Sequence, residues 1–262
     1  MRKCCFFLFV FALVAPQTPT FAKDWEIPGI NLITRAEWGA DESMRFRENH
    51  PTTPSVTKPQ TAAEKAAAEK AAKEAAERTA FMKKNFLNDW SYSSTKADLS
   101  GHKLLYPDQI QHHKTKIVIH HTATTYDTNW NTEEIKVAIQ QIYKYHTLNR
   151  DFGDIGYNFL IDHLGNIYEG RAGGEGAVGM HVSYNNVATL GISLLGDFEK
   201  TQPTQAQINA LTDLLTALTQ KYQIDPTAYE SYFQLSTTSP YISVLTLPSI
   251  VGHKDIAATA CP

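Results

Sequence analysis

Thr189-Leu-Gly-Ile-Ser-Leu-Leu195 is apolar at almost every position. A strand of that kind is covered on both faces, whereas a strand with one wet face alternates. It belongs in the middle of a sheet with helices above and below. Working outward, Asp151 to Asp162 turns on Gly153 and Gly156 into a second strand, and Leu164-Gly-Asn166 hairpins it to Ile167-Tyr-Glu-Gly-Arg171. Lys116-Ile-Val-Ile-His-His121 is a short β-branched strand, and Ser249-Ile-Val251 a shorter one. Helical spacing occurs twice. Asn131 with Glu134 resembles a capping box ahead of the stripe Ile135, Ala138, Ile139 and Ile142. Thr204 with Gln207 opens a second helix, whose Ile208, Leu211, Leu215, Leu218 and Tyr222 keep a spacing of three and four. The expected architecture is an α/β domain over 114–262, a central mixed β-sheet flanked by helices.

Upstream the pattern changes. Met1-Arg-Lys, an apolar run from Cys4 to Ala15, and Thr20-Phe-Ala22 make a charged start, a short greasy middle and a small-residue exit, which predicts a signal peptide over 1–22. The apolar middle is shorter than the roughly 20 residues a spanning helix needs. The expected product is an exported monomer, periplasmic or secreted, with no transmembrane segment. Residues 23–58 form an N-terminal extension with two aromatic anchors, Trp25 and Trp38, and the linker signal Pro51-Thr-Thr-Pro-Ser55. Alanine then dominates 59–85, where Glu69 and Lys73, Lys73 and Glu77, and Glu74 and Arg78 stand four apart, so propensity and charge pairing predict a solvated helical spacer. Residues 86–113 read as an irregular connection, and 223–248 as a Tyr- and Ser-rich one.

Losing Arg2 and Lys3 with the signal takes the formal charge from -3 to -5, without the basic field that nucleic-acid binding requires. The glycine-rich loop from Ala172 to Gly179 lacks the strand-GxxxxGK[ST]-helix form of a phosphate cradle. Of three cysteines, Cys4 and Cys5 leave with the signal, so Cys261 has no intrachain disulfide partner. It is either packed as a small hydrophobe or bound to a metal. His253 lies eight positions before it on a Gly- and Pro-flanked loop, Val251-Gly-His-Lys-Asp-Ile-Ala-Ala-Thr-Ala-Cys-Pro262. An imidazole and a thiolate suit Zn²⁺ better than Mg²⁺ or Ca²⁺. A third donor is sought at the end of the strand Lys116 to His121, where alternation lets only one of His120 and His121 face the metal. His146, one step of four beyond Ile142, points inward as a satisfied core residue or as part of a site wall.

Taken in order, IVIHHTAT, YHTLNRDFGDIGYNFLIDHLGNIYEGR, VGMH with Asn186 and LGISLLGDF beyond it, and VGHKDIAATACP resemble successive motifs of the peptidoglycan-recognition protein and phage-type amidase family. Its enzymes are zinc N-acetylmuramoyl-L-alanine amidases. The resemblance covers about 116–262, and Ile33 to Ser43 resembles the segment preceding the domain in peptidoglycan-recognition proteins. It implies His120, His253 and Cys261 as zinc ligands, Tyr157 as the catalytic tyrosine, and Thr259 where peptidoglycan-recognition amidases carry threonine and phage-type amidases lysine. A fourth protein ligand would make the zinc structural, and His112 and His113 are the candidates for it.

Three ligands leave a position for water, the mark of a catalytic zinc. Amide hydrolysis needs a strong nucleophile, a polarised carbonyl and a proton for nitrogen, and zinc addresses the first two. The Tyr157 phenol and the Thr259 hydroxyl are expected to stabilise the oxyanion, although Tyr157 also reads as a packed strand-end residue. LGISLLG carries no carboxylate where cytoplasmic recycling amidases have glutamate, so Tyr157 or His146 is expected to move protons. The resemblance lines the groove with His146, Arg171, His181 and Asn186. Arg171 is expected to meet a stem-peptide carboxylate or to end a hairpin at the surface, and Asn186 to hold substrate or build a turn. Asp255 either orients a ligand histidine or caps the loop. The implied partner is peptidoglycan and the implied reaction is cleavage between N-acetylmuramic acid and L-alanine. A non-catalytic peptidoglycan receptor of the same fold is the alternative.

Overall fold

A computed structural model describes residues 25–50, 61–86, 91–92, 101–106, 108–183, 186–235 and 242–261. The expected signal peptide over 1–22 and the Pro51 linker signal lie outside them. Among the described residues ten strands occur in chain order, β1 (Leu32–Ile33), β2 (Ser91–Tyr92), β3 (Gln109–Ile110), β4 (Lys116–His121), β5 (Phe159–Ile161), β6 (Ile167–Glu169), β7 (Thr189–Leu194), β8 (Tyr229–Leu235), β9 (Ile242–Pro248) and β10 (Ile250–Gly252). Three α-helices accompany them there, α1 (Ala62–Phe86), α2 (Thr132–Lys144) and α3 (Gln205–Tyr222). The main sheet has the order β1-β6-β5-β7-β4-β10 and is mixed, parallel except for the β5–β6 hairpin. As its apolar run predicts, β7 lies inside the sheet and is buried at all six positions.

Alternation along each strand sends side chains to two cores. On one face Phe159, Ile161, Ile117 and Ile192 pack with Leu214 and Leu218 of α3, and on the other Leu160 and Tyr168 pack with Ile135, Ile139 and Tyr143 of α2. Both helices begin with the expected capping boxes, at Asn131 and Thr204. The expected stripes pack inward, Ile135 and Ile139 of α2 fully and Leu211, Leu215, Leu218 and Tyr222 of α3 against its core, with the most deeply buried positions partly shifted. In α3 the fully buried residues are Gln207, Ala210, Leu214 and Leu218, while Ile208 is exposed. Gln207 can go in because its amide donates to the carbonyls of Ile161 and Leu195, where β5 and β7 end, so its polar tip is satisfied inside. In α2 Ile142 packs half-buried against the core and Tyr143 joins it fully buried, with its hydroxyl on the Asp41 carbonyl.

Residues 25–50 are more than an extension. Strand β1 pairs with β6 in the main sheet, Trp25 joins the α3-side core against Phe159, and Trp38 is fully buried on the α2 side with its indole N–H on the Glu169 carbonyl. A buried ionic cluster fastens the same segment: Asp154 lies 3.1 Å from Arg35 and 3.0 Å from Arg45. Residues 86–113 are only partly irregular, since β2 and β3 pair antiparallel and Phe46 bridges to Leu104. The stretch 223–248, expected without regular structure, contains the hairpin of β8 and β9, paired over seven residues each. Tyr232 of that hairpin is buried with Val118, Val251 and Ile256. Helix α1 runs 25 residues with Thr61 and Glu64 bonded at its start, as the Ala/Lys/Glu composition predicts. No helix among the described residues is long and apolar enough to cross a membrane.

Candidate metal centre and cleft

Strands β4 and β10 run side by side in parallel, with Val251 opposite Val118 and Gly252 opposite Ile119. Their C-terminal ends therefore deliver His120 and His253 as neighbours, with ring centroids 4.6 Å apart. Beyond β10 the chain turns through His253–Asp255 and comes back along β4, where the His121 amide donates to Cys261 Sγ at 3.4 Å and the Lys254 amide to the Cys261 carbonyl. One donor atom each from His120, His253 and Cys261 all lie within 4.8 Å of one another. His121 faces the other way, its Nδ1 accepting from the Phe198 amide. No fourth His, Cys, Asp or Glu joins the group among the described residues, and His112 packs against Gly176 instead.

The hydrogen bonds behind His120 fix which of its nitrogens is free. Thr189 Oγ1 has one hydrogen, which it donates to the Asn186 carbonyl at 2.8 Å, so it accepts from His181 Nε2 at 3.1 Å. Burial pushes His181 down to about 3, with the His253, Lys114 and Arg171 charges acting in the same direction, so the ring is neutral and its Nδ1 accepts. His120 Nε2, 3.0 Å away, must then carry the proton. That leaves His120 Nδ1 as a bare lone pair, 3.6 Å from Cys261 Sγ. Burial first, and then the neighbouring histidines, also hold His120 well below the ordinary imidazole range. His253 Nε2 is buried without a hydrogen-bond partner, a condition that costs about 1–3 kcal/mol unless a ligand satisfies the atom. Two neutral imidazoles and a half-buried thiol in this arrangement can hold a metal ion.

The trio opens into a cleft of about 610 Å³. Tyr157 stands in its wall 5.4 Å from the His120 ring and 5.5 Å from His146, and burial raises its phenol to about 12. His146 is a wall residue rather than a core residue. The backbone from Tyr145 to Asn149 forms a π turn, so the helical count of four no longer holds there. Its Nδ1 accepts from the Gly156 amide at 3.1 Å and burial pushes it down to about 4, so the neutral ring offers only an Nε2–H to the cleft. Thr259 lines the cleft with its Oγ1 accepting from the Cys261 amide at 3.2 Å.

Two expected groove residues are differently employed. Arg171 is buried, and its guanidinium donates to the carbonyls of Ile155 and Phe152, so it neither ends a hairpin at the surface nor lines the cleft. Asn186 lines the cleft, but its amide accepts from the His181 and Val182 amides and donates to the Val182 carbonyl, holding the backbone that carries His181. Asp255 caps the loop by accepting from the Gly252 amide. The exposed cation in the cleft is Arg150, with its guanidinium 5.2 Å from the Phe152 ring, four residues past His146 where the sequence pattern alone could have flagged it. Gln234 of the β8–β9 hairpin donates to the Ile256 carbonyl and so braces the ligand loop.

Fold and site together define a mixed-sheet α/β domain with a three-donor metal cleft at the ends of adjacent parallel strands. The N-acetylmuramoyl-L-alanine amidase family (Amidase_2) matches residues 110–262, and the chain belongs to that family. It is 32% identical to peptidoglycan-recognition protein SC2 of Drosophila melanogaster over 169 residues, 64% of this chain and 78% of the relative. Peptidoglycan-recognition protein 2 of Holotrichia diomphalia is 37% identical over 111 residues, 42% of this chain and 57% of the relative. Among solved structures, that of Drosophila peptidoglycan recognition protein SD superposes with a TM-score of 0.51 at 19% identity, covering 89% of this chain and 88% of that one, a likeness of fold.

Proposed function

We propose that the chain is an exported zinc-dependent N-acetylmuramoyl-L-alanine amidase, cutting the amide between N-acetylmuramic acid and L-alanine in peptidoglycan. The observation that carries this reading is the convergence of His120, His253 and Cys261 beside Tyr157 at the mouth of an open cleft. One thiolate and two imidazoles are a zinc donor set, and three protein ligands leave a position open. When bound there, the ion supplies Lewis acidity toward a carbonyl and lowers the pKa of water from 15.7 to about 7.

The chain's own groups complete the chemistry. Tyr157 keeps its proton at neutral pH, because burial holds the phenol near 12, and so donates to the oxygen that becomes negative as the carbonyl is attacked. The Thr259 hydroxyl, whose oxygen accepts from the Cys261 amide, has its hydrogen left for the same purpose. His146 acts as a fixed donor. With Nδ1 occupied and the ring pushed to about 4, it is a poor base at neutral pH. Arg150 takes the place expected of Arg171 as the partner for a stem-peptide carboxylate.

The relatives are named as recognition proteins, and binding without cleavage is the competing outcome. Purified cell wall digested with the protein and analysed by mass spectrometry separates the two. Stem peptides that begin at L-alanine, absent with Cys261→Ala or chelated protein, support hydrolysis. Retention on the wall with no new amino termini would assign the chain to recognition instead.

A further inference from the structure

The residues of β7 alternate between two faces, and Leu190, Ile192 and Leu194 join the core on the α3 side. Thr189, Gly191 and Ser193 take the opposite face. The first two serve the His181 ring, one with a hydrogen bond and the other with the space that a missing Cβ leaves. Ser193 serves neither purpose. It is fully buried, and its Oγ has no hydrogen-bond partner within ordinary limits. Buried hydroxyls are rarely left in that condition, and alanine would occupy the strand without bringing one inside.

Strand register shows what crosses above it. Ser193 pairs with His120 of β4 on one side and with Leu160 of β5 on the other. Tyr157 leaves the backbone just before β5, packs on the α2-side core and brings its ring centroid within 5.4 Å of that of His120. A side chain that starts beside β5 and ends beside β4 must pass over β7, and Ser193 is the β7 residue paired with both neighbours. We propose that Ser193 is a positioning residue for Tyr157, its hydroxyl donating to the phenol oxygen from inside the sheet so that the phenol hydrogen is turned outward to the cleft. The inference rests on the amidase reading and deepens it by naming what aims the oxyanion donor. Counting hydrogens gives the direction. A phenol oxygen carries one hydrogen and can also accept one, so a donor behind it leaves its own hydrogen for the metal trio in front. Burial raises the phenol to about 12, and the largest influence acting against burial is a hydrogen bond from Ser193, the sense expected of a group that donates to the phenol oxygen. The contact is looser than an ordinary hydrogen bond, as active-site bonds commonly are before substrate arrives.

The test is Ser193→Ala in the full chain, alone and combined with Tyr157→Phe. Alone, it should lower kcat on a muramyl peptide about three- to tenfold, the scale of one neutral hydrogen bond, while KM stays within about twofold. In the Tyr157→Phe background the same change should cost nothing further, because groups that act as a unit are not additive. A merely structural loss would appear in both backgrounds. The second readout needs no turnover: in protein labelled with ¹³Cζ-tyrosine, the resonance that Tyr157→Phe removes should shift in Ser193→Ala. Full turnover in Ser193→Ala, an equal loss in both backgrounds, or an unmoved Tyr157 resonance overturns the assignment. Where wild type cuts nothing, the resonance decides alone. A shift then means that Ser193 directs the phenol and only the amidase reading falls, whereas an unmoved resonance removes both.

Discussion

Replacing Thr189 by valine removes one hydroxyl from a fully buried position at the start of β7 and changes the shape of the side chain very little. Two bonds disappear, the 3.1 Å contact with His181 Nε2 and the 2.8 Å donation to the Asn186 carbonyl. His181 is then left with a buried N–H that nothing accepts, at a cost of about 1–3 kcal/mol. The ring can escape that cost by moving its proton to Nδ1, which points at His120 Nε2. Two N–H groups cannot face each other, so His120 must shift its own proton to Nδ1, the atom beside Cys261. The stabilisation that the hydroxyl gives to the metal-ready tautomer is thus the same roughly 1–3 kcal/mol, or about a 5- to 150-fold loss of zinc affinity at about 1.4 kcal/mol per decade. Loss of a partner behind a ligand histidine typically costs about 10- to 100-fold. The assay is zinc competition against a chromophoric chelator, with long-range ¹H–¹⁵N imidazole spectra of the metal-free protein reporting the His120 tautomer. Thr189→Ser, which keeps the hydroxyl, should recover most of the affinity. Zinc affinity within twofold of wild type in Thr189→Val, or no recovery in Thr189→Ser, would refute the relay.

Tyr157→Phe is expected to bind zinc as wild type does while hydrolysis falls about 10²- to 10³-fold, as for loss of one oxyanion donor; turnover unchanged on muropeptide removes the phenol from the reaction. Trp38→Ala should lower unfolding stability by about 3–5 kcal/mol in urea melts, because the indole is fully buried and bonded to Glu169; a loss below about 1 kcal/mol would mean that residues 25–50 are only loosely attached. Acid stability follows from Asp154. Burial pulls its carboxyl upward, but Arg35, Arg45, Arg171 and the Ala172 amide outweigh it and hold it below the ordinary 3.8. A depressed carboxylate contributes stability in full above its unfolded pKa and loses it as pH falls through the folded one, so stability should drop below about pH 4. Asp154→Asn should flatten that part of the profile and cost about 1.5–3 kcal/mol at pH 7, the scale of charged hydrogen bonds, because Arg35 keeps Glu42 and Arg45 keeps Asp108; both are read from melts across pH.

What could be read from the chain followed a simple physical line. Strands that are covered on both faces must be apolar throughout, so β7 announced its place in the sheet, and the alternation of β4 separated His120 from His121. Hydrophobic spacing found Leu211, Leu215 and Leu218 of α3 but missed Gln207, because spacing counts apolar atoms and Gln207 is buried with its amide on two strand-end carbonyls. The β8–β9 hairpin is hard to read because Ile242-Ser-Val-Leu-Thr-Leu247 breaks alternation at Val244-Leu245, and a Tyr- and Ser-rich flank resembles a loop when its burial partner, the Val118 and Val251 patch, is supplied by other strands. Arg171 and Asn186 show the same limit from the polar side. Both sit in motifs that border the cleft, yet both side chains turn to backbone groups that only the folded chain brings near.

The relay behind His120 depends most of all on space that no residue name reveals. A Cβ at Gly191 would stand 2.4 Å from the His181 ring, and one at Gly179 2.5 Å from it. The ring fits between β7 and the loop after β6 only because both positions lack a side chain, and it can reach Thr189 and His120 together only from that slot. In Thr189-Leu-Gly191 the glycine interrupts an otherwise apolar strand at some cost in packing. That cost makes sense once the ring beside it is seen to decide which nitrogen of His120 faces the metal. The stretch that organises the sheet therefore also organises the site: the apolar positions of β7 hold it in the interior, and its one threonine and one glycine set the protonation of a ligand on the neighbouring strand.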